Sequence, residues 1–127
     1  MILATVMVIA LLSVQFSRAP VKTSVVKDTV GIQYPAKVKA IIDNKCFGCH
    51  NPDAKNQEAK DALNFVNLPT LKKSQQISKL NDIAEVTQKG EMPPKKFIEK
   101  KPEAKLSDAE SKLLVDWASG ASESLMK

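Results

Sequence analysis

The distribution of hydrophobic positions divides the chain into three parts. Residues 2–12 form an unbroken apolar run, residues 20–34 show no clear helical period, and amphipathic segments follow from Pro35 onward. The first run has the length of the apolar part of an export signal and is short for a membrane span. We predict an export signal or membrane anchor over residues 1–19, a linker over 20–34 and one domain over 35–127. A buried amino-terminal helix is the alternative interpretation of the first run.

The domain is predicted to open with a helix that begins at Pro35, because proline suits the first turn of a helix. Apolar residues then recur at helical spacing and place Cys46 and Cys49 on the apolar face. Gly48 is expected to end this helix.

Further helical patterns fill the middle of the domain. A short helix is predicted over residues 58–68, and a longer one over 70–89 that Gly90 stops. The segment 90–105 is rich in proline and is predicted to be an ordered, irregular loop.

The carboxyl-terminal segment has the clearest helical pattern. Ser107 and Glu110 form the Ser-x-x-Glu pattern of a capping box, and an apolar stripe that includes Leu114, Trp117 and Ala118 follows. Trp117 is interpreted as a core anchor, since large aromatic side chains dominate core burial. These patterns together predict an all-α fold.

Composition and charge indicate which classes of partner the protein is expected to bind. The net charge is +5, and the basic residues are lysines apart from Arg18. Nucleic-acid binders usually also use arginine and stacked aromatics, and aromatics make up only 5% of this chain. We therefore predict no nucleic-acid partner. A lysine-rich surface suits docking on an acidic redox partner protein or an anionic membrane surface.

The chemistry is concentrated in the stretch CFGCH at residues 46–50. It contains the only two cysteines and the only histidine of the chain, Cys46, Cys49 and His50. Cys-x-x-Cys-His is the attachment pattern of c-type haem. Each thiol forms a thioether with one vinyl group of the porphyrin, and the following histidine binds the iron as proximal ligand. We predict one covalently bound haem c per chain.

Three other interpretations of CFGCH compete with haem. A Cys46–Cys49 redox disulfide is expected in an alternating strand–helix pattern, which this sequence lacks. Zinc prefers four ligands, and the chain offers three crowded ones. Chance placement of a lone histidine directly behind the second cysteine is the third interpretation.

Met92 is the candidate for the second axial ligand. The chain has no second histidine, and the other methionines lie near its two ends. Pro93 favours an extended backbone at Met92, and a thioether ligand raises the reduction potential of haem iron. The alternative is that Met92 fills a gap in the core.

Taken together, these motifs resemble a small class I-type cytochrome c, and most closely the bacterial mono-haem haem-binding domain cytochromes. The matching stretches are Val38–His50, Leu63–Phe65, Ile83–Pro94 and Leu106–Trp117. In one departure, residues 51–60 lack the aromatic stretch that often follows the haem motif in that family. The resemblance implies a small helical domain wrapped around covalent haem, with His50 and Met92 as ligands of the iron.

The expected function is one-electron transfer in the periplasm, by a protein that is soluble or held at the membrane by its amino-terminal segment. Lys95, Lys96 and the lysines that follow them are candidates for steering an acidic partner, the alternative being an ordinary solvated face. A haem-based sensor or gas-binding module with a displaceable distal ligand is the alternative function. Enzymatic activity, including peroxidase-like catalysis, is not expected, because a six-coordinate iron leaves no open position for substrate.

Overall fold

The computed structural model describes residues 31–127. The predicted export segment and most of the predicted linker lie outside the described residues. Within residues 31–127 the chain forms only helices, turns and irregular segments, which confirms the predicted all-α class. The described α-helices are α1 (Ala36–Lys45), α2 (Gln57–Ala62), α3 (Lys73–Gln88), α4 (Lys95–Lys100) and α5 (Asp108–Met126), with 3-10 turns at Leu68–Thr70 and Pro102–Ala104.

The core forms where α3 packs along α5 and α1 lies against α5. Leu80 of α3 and Ala118 of α5 are fully buried in it, together with Leu68 of the first 3-10 turn. The remaining buried members of the same cluster are Ile32, Val38, Ile41, Ile42, Phe65, Ile83 and Leu114. No helix within the described part of the chain has the length and apolar character to cross a membrane.

The helix α5 begins as its capping box predicts. The Ser107 hydroxyl accepts a hydrogen bond from the Glu110 N–H at 3.3 Å, and the Ser107 N–H donates to the Glu110 carboxylate at 2.8 Å. Trp117 packs against the core, and its Nε1–H donates to the Gln33 carbonyl at 2.9 Å. Ile32 is buried in the same core, so packing contacts extend upstream of Pro35 into the stretch that was predicted as linker.

Two predicted helix ends are corrected by the structure. The helix α1 ends at Lys45 rather than Gly48, and Gly48 does not adopt a positive φ. The second helix spans Gln57–Ala62 rather than 58–68. The Asn64 side-chain oxygen accepts hydrogen bonds from the N–H groups of Val66 and Asn67, and this local turn competes with helix continuation.

The irregular loop predicted over residues 90–105 is also wrong in part, because it contains α4. Pro94 precedes the first helical residue, and its carbonyl accepts from the N–H groups of Phe97 and Ile98. The following residues contain no helix breaker until Pro102, which begins the second 3-10 turn. The prolines on both sides of α4 favoured the prediction of a loop, although the six residues of α4 form about one and a half turns of helix.

Candidate haem site

An apolar cavity of about 330 Å³ opens between α1, α3 and α4. This volume lies in the usual range of cofactor pockets, roughly 300–1,000 Å³. The cavity wall includes all four residues that the sequence singles out for haem chemistry, Cys46, Cys49, His50 and Met92. Its apolar lining residues further include Leu63, Phe65, Ile83, Val86, Pro93, Phe97, Leu106 and Leu114.

The CFGCH stretch follows α1 as a hydrogen-bonded turn. The carbonyl of Cys46 accepts hydrogen bonds from the N–H groups of both Cys49 and His50, each at 3.1 Å. The two cysteines are partly buried and are not joined to each other in a disulfide. Burial raises the pKa of the Cys46 thiol to about 11, so this thiol is protonated at neutral pH.

The orientation of the His50 imidazole is set by the end of α2. Its Nδ1 lies 2.9 Å from the Ala59 carbonyl oxygen and 3.1 Å from that of Leu63. Because both neighbours are acceptors, Nδ1 carries the proton and donates, which leaves the lone pair of a neutral imidazole on Nε2. The Phe65 ring meets the imidazole edge-on, with centroids 6.2 Å apart. The imidazole is therefore fixed in the tautomer that metal binding through Nε2 requires.

Met92 reaches the cavity because of how α3 ends. Gly90 adopts a φ of 66°, and the N–H groups of Gly90 and Glu91 donate to the carbonyls of Thr87 and Val86 at 3.1 and 2.9 Å. These two bonds form a Schellman motif, which reverses the chain directly after the helix. The Met92 side chain lines the cavity and is 39% exposed.

Few charged groups line the cavity. They are Lys45, Lys79 and Asp82. The Lys45 ammonium lies 2.9 Å from the Glu110 carboxylate, with only 17% of the lysine side chain exposed, and it also donates to the Lys105 carbonyl. The Ser107 N–H and then Lys45 hold the pKa of Glu110 below its usual range. This ion pair connects the residue before Cys46 to the first turn of α5.

The cavity also contains residues that the sequence patterns did not single out. Lys79, Ile83, Val86 and Thr87 lie on one face of α3 at helical spacing, and Phe97 comes from α4. Thr87 is 7% exposed and is a polar but uncharged member of a mostly apolar wall. The helical spacing of the α3 residues could have predicted that they share one face of that helix. The contribution of Phe97 could not be predicted in this way, because Phe97 belongs to α4, and this segment was predicted to be an irregular loop.

The described residues fit haem better than a bare metal ion. No three histidine, cysteine, aspartate or glutamate side chains within residues 31–127 converge so that they could hold a metal. Haem presents a flat apolar ring, two vinyl groups, an iron that accepts imidazole, and two carboxylates. An apolar cavity with two thiols, one oriented imidazole and lysines among its lining residues matches that set.

The fold and the cavity together define a small all-α protein with an apolar cofactor pocket. Comparison with protein families makes this specific, since the family described as haem-binding domain matches residues 53–120. This chain belongs to the haem-binding domain family, and its cofactor is haem. CFGCH ends at His50, shortly before the matched stretch begins at residue 53, and Met92 lies within the matched stretch. Comparison with curated proteins gives no match, and comparison with solved structures gives none.

Proposed function

We propose that this protein is a periplasmic one-electron carrier with one haem attached covalently through Cys46 and Cys49. In this proposal His50 and Met92 are the axial ligands of the iron. The observation that carries the proposal is that these four side chains line one apolar cavity, although Met92 lies more than forty residues from the others.

The bound haem would supply the chemistry by alternating between ferric and ferrous iron. The residues of the chain contribute the surroundings. The carbonyls of Ala59 and Leu63 accept from Nδ1 of His50, which increases the electron density at Nε2. The apolar wall limits access of water to the ring. Two axial side chains leave no open position for a substrate, which supports a carrier rather than an enzyme.

An absorption spectrum after acid–acetone extraction tests this function. We expect the pigment to stay with the polypeptide, because thioether bonds survive a treatment that removes non-covalent haem. The native oxidised protein is also expected to show the methionine–iron charge-transfer band. A polypeptide that loses all its colour on extraction would contradict covalent attachment.

Carbon monoxide tests this proposal against the alternative of a haem-based sensor or gas-binding module with a displaceable distal ligand. Carbon monoxide binds ferrous haem iron only where the distal position is open or the distal ligand is easily displaced. Rapid binding by the reduced protein at neutral pH would support the sensor, whereas the absence of binding would support the carrier.

The surface beside Met92 supports docking of an acidic redox partner. Three lysines of α4 and two that follow it are exposed, and Phe97 of the same helix lines the cavity. The lysines are Lys95, Lys96, Lys100, Lys101 and Lys105. Glu91, Glu99 and Glu103 lie among them, so the field is positive but moderate. Steering by such a surface weakens as salt screens it.

The electrostatic field of this lysine surface can be measured with small charged oxidants, so the redox partner need not be known. We expect oxidation of the reduced protein by ferricyanide, an anion, to slow severalfold as ionic strength rises from about 0.01 M to about 1 M, because the Debye length falls from about 30 to about 3 Å. Oxidation by a cationic cobalt complex is expected to speed up instead. The combined substitution of Lys95, Lys96 and Lys100 by glutamine is expected to flatten both responses.

Lys37→Gln is the matched control, since Lys37 is an exposed lysine of α1 outside the cavity lining. It is expected to leave both salt responses unchanged. Equal salt responses in the triple variant and in the wild type would remove the docking role from α4.

A further inference from the structure

The helix α2 orients the candidate iron ligand, yet it has little hydrophobic anchoring of its own. It contains six residues, and none of them is buried. Its flanks are fixed by Ala54, which is buried, and by Leu63, which packs against the core. A helix this short is not stable by itself, so contacts from outside the helix hold its last turn in place.

One such contact comes from α3. The Lys79 ammonium donates a hydrogen bond to the carbonyl oxygen of Ala62 at 2.5 Å. Ala62 is the last residue of α2 and lies between Ala59 and Leu63, whose carbonyls accept from Nδ1 of His50. A cation at the carboxyl end of a helix also interacts favourably with the helix dipole.

Lys79 itself extends from a well-anchored position. The next residue, Leu80, is fully buried, and Ile83 one turn later is buried as well. The backbone of α3 at Lys79 is therefore held by the core. The hydrogen bond from the lysine side chain in turn holds the end of α2 at a fixed place relative to α3. Lys79 also lines the cavity, on the same wall as Ile83.

We propose that Lys79 is a positioning residue for His50, fixing the carbonyl groups that hold the imidazole in its iron-binding orientation. This inference rests on the proposed function, because it concerns His50 as a ligand of the haem iron. Without the ammonium, the last turn of α2 frays, and the hydrogen bonds from Nδ1 lengthen or open. Opening exposes the Nδ1 proton to water and decreases the basicity of Nε2.

The test is the solvent exchange rate of the His50 Nδ1 proton, measured by NMR on the reduced haem-loaded protein. In Lys79→Met, exchange is expected to be about tenfold faster than in the wild type, the size of effect that loss of a charge-assisted hydrogen bond produces. Lys79→Arg keeps the charge and the donor, and its exchange rate is expected to stay within about twofold of the wild-type value. Lys73→Met is the matched control, since Lys73 is an exposed lysine on the same helix.

Global stability, measured by denaturant unfolding of the same samples, separates positioning from general loosening. Faster exchange in Lys79→Met at unchanged global stability, with arginine restoring protection, supports the proposal. An exchange rate equal to that of Lys73→Met, or a rise fully accounted for by lower global stability, overturns it. A wild-type protein without covalent pigment would instead contradict the proposed function, and the two failures are therefore distinguishable.

Discussion

Replacing both Cys46 and Cys49 by alanine is expected to abolish covalent haem, so that the extracted polypeptide is colourless. Thioether bonds require the two sulfur atoms, and no other cysteine exists in the chain to replace them. In a host competent for haem ligation, the retained pigment per polypeptide is expected to fall from about one to about zero. The measurement is the absorbance of the extracted protein relative to its peptide concentration.

Single variants make this test sharper. Cys46→Ala and Cys49→Ala each leave one sulfur, so each is expected to retain a single thioether, visible as a red-shifted pyridine haemochrome band. Cys46→Ser with Cys49→Ser is the matched control for side-chain size, because serine retains the shape of cysteine without its reactive sulfur. Colour that survives extraction in either double variant would contradict attachment through these thiols.

Loss of haem in these variants must also be distinguished from loss of fold. Cys46 packs against the core, so its truncation removes some buried contacts. The main packing contact of the fold is between the helices α3 and α5, and neither helix contains a cysteine. Far-ultraviolet circular dichroism of the double variants reports whether these helices persist.

The elements that the sequence predicted correctly are those decided by neighbouring residues. The start of α5 depends on Ser107 and Glu110, three positions apart, and the end of α3 depends on Gly90. In both cases the backbone groups are satisfied within a single turn. Such local chemistry is visible in a sequence without knowledge of the rest of the fold.

The elements that were missed depend on competition between local signals. Prolines at positions 93, 94 and 102 suggested a loop, but Pro94 immediately precedes a helix, where its fixed φ is compatible with the helix start. Asn64 ended the second helical pattern early by forming its own turn. In each case one residue type, proline or asparagine, is compatible with both a helix boundary and a loop. Packing against the rest of the fold decides which of the two forms.

The candidate site also has parts that could be predicted from the sequence and parts that could not. The pattern CFGCH and the lone internal methionine pointed to one cofactor, and the structure brings Cys46, Cys49, His50 and Met92 to one cavity. The groups that orient His50 were not predictable, because the Ala59 and Leu63 carbonyls are backbone atoms without a side-chain signature. The contact between Lys45 and Glu110 spans 65 positions and depends on how α1 meets α5.

Met92→Ala is expected to open the distal side of the haem. The oxidised variant is expected to lose the methionine–iron charge-transfer band, and the reduced variant is expected to bind carbon monoxide rapidly. The reduction potential is expected to fall by on the order of 0.1 V, because a thioether ligand favours ferrous iron and axial ligands set the potential over a wide range. Spectroscopy and redox titration of the purified protein measure all three changes.

Two further variants distinguish ligation from packing at this position. Met92→Leu retains an apolar side chain of similar volume, so it restores the wild-type properties if Met92 only fills the cavity wall. If Met92 binds the iron, Met92→Leu behaves like Met92→Ala, since leucine has no donor atom. Met126→Ala is the matched control, because Met126 is exposed at the end of α5 and outside the cavity lining. Retention of the band in Met92→Ala, with no binding of carbon monoxide, would exclude Met92 as a ligand and require a different donor above the iron.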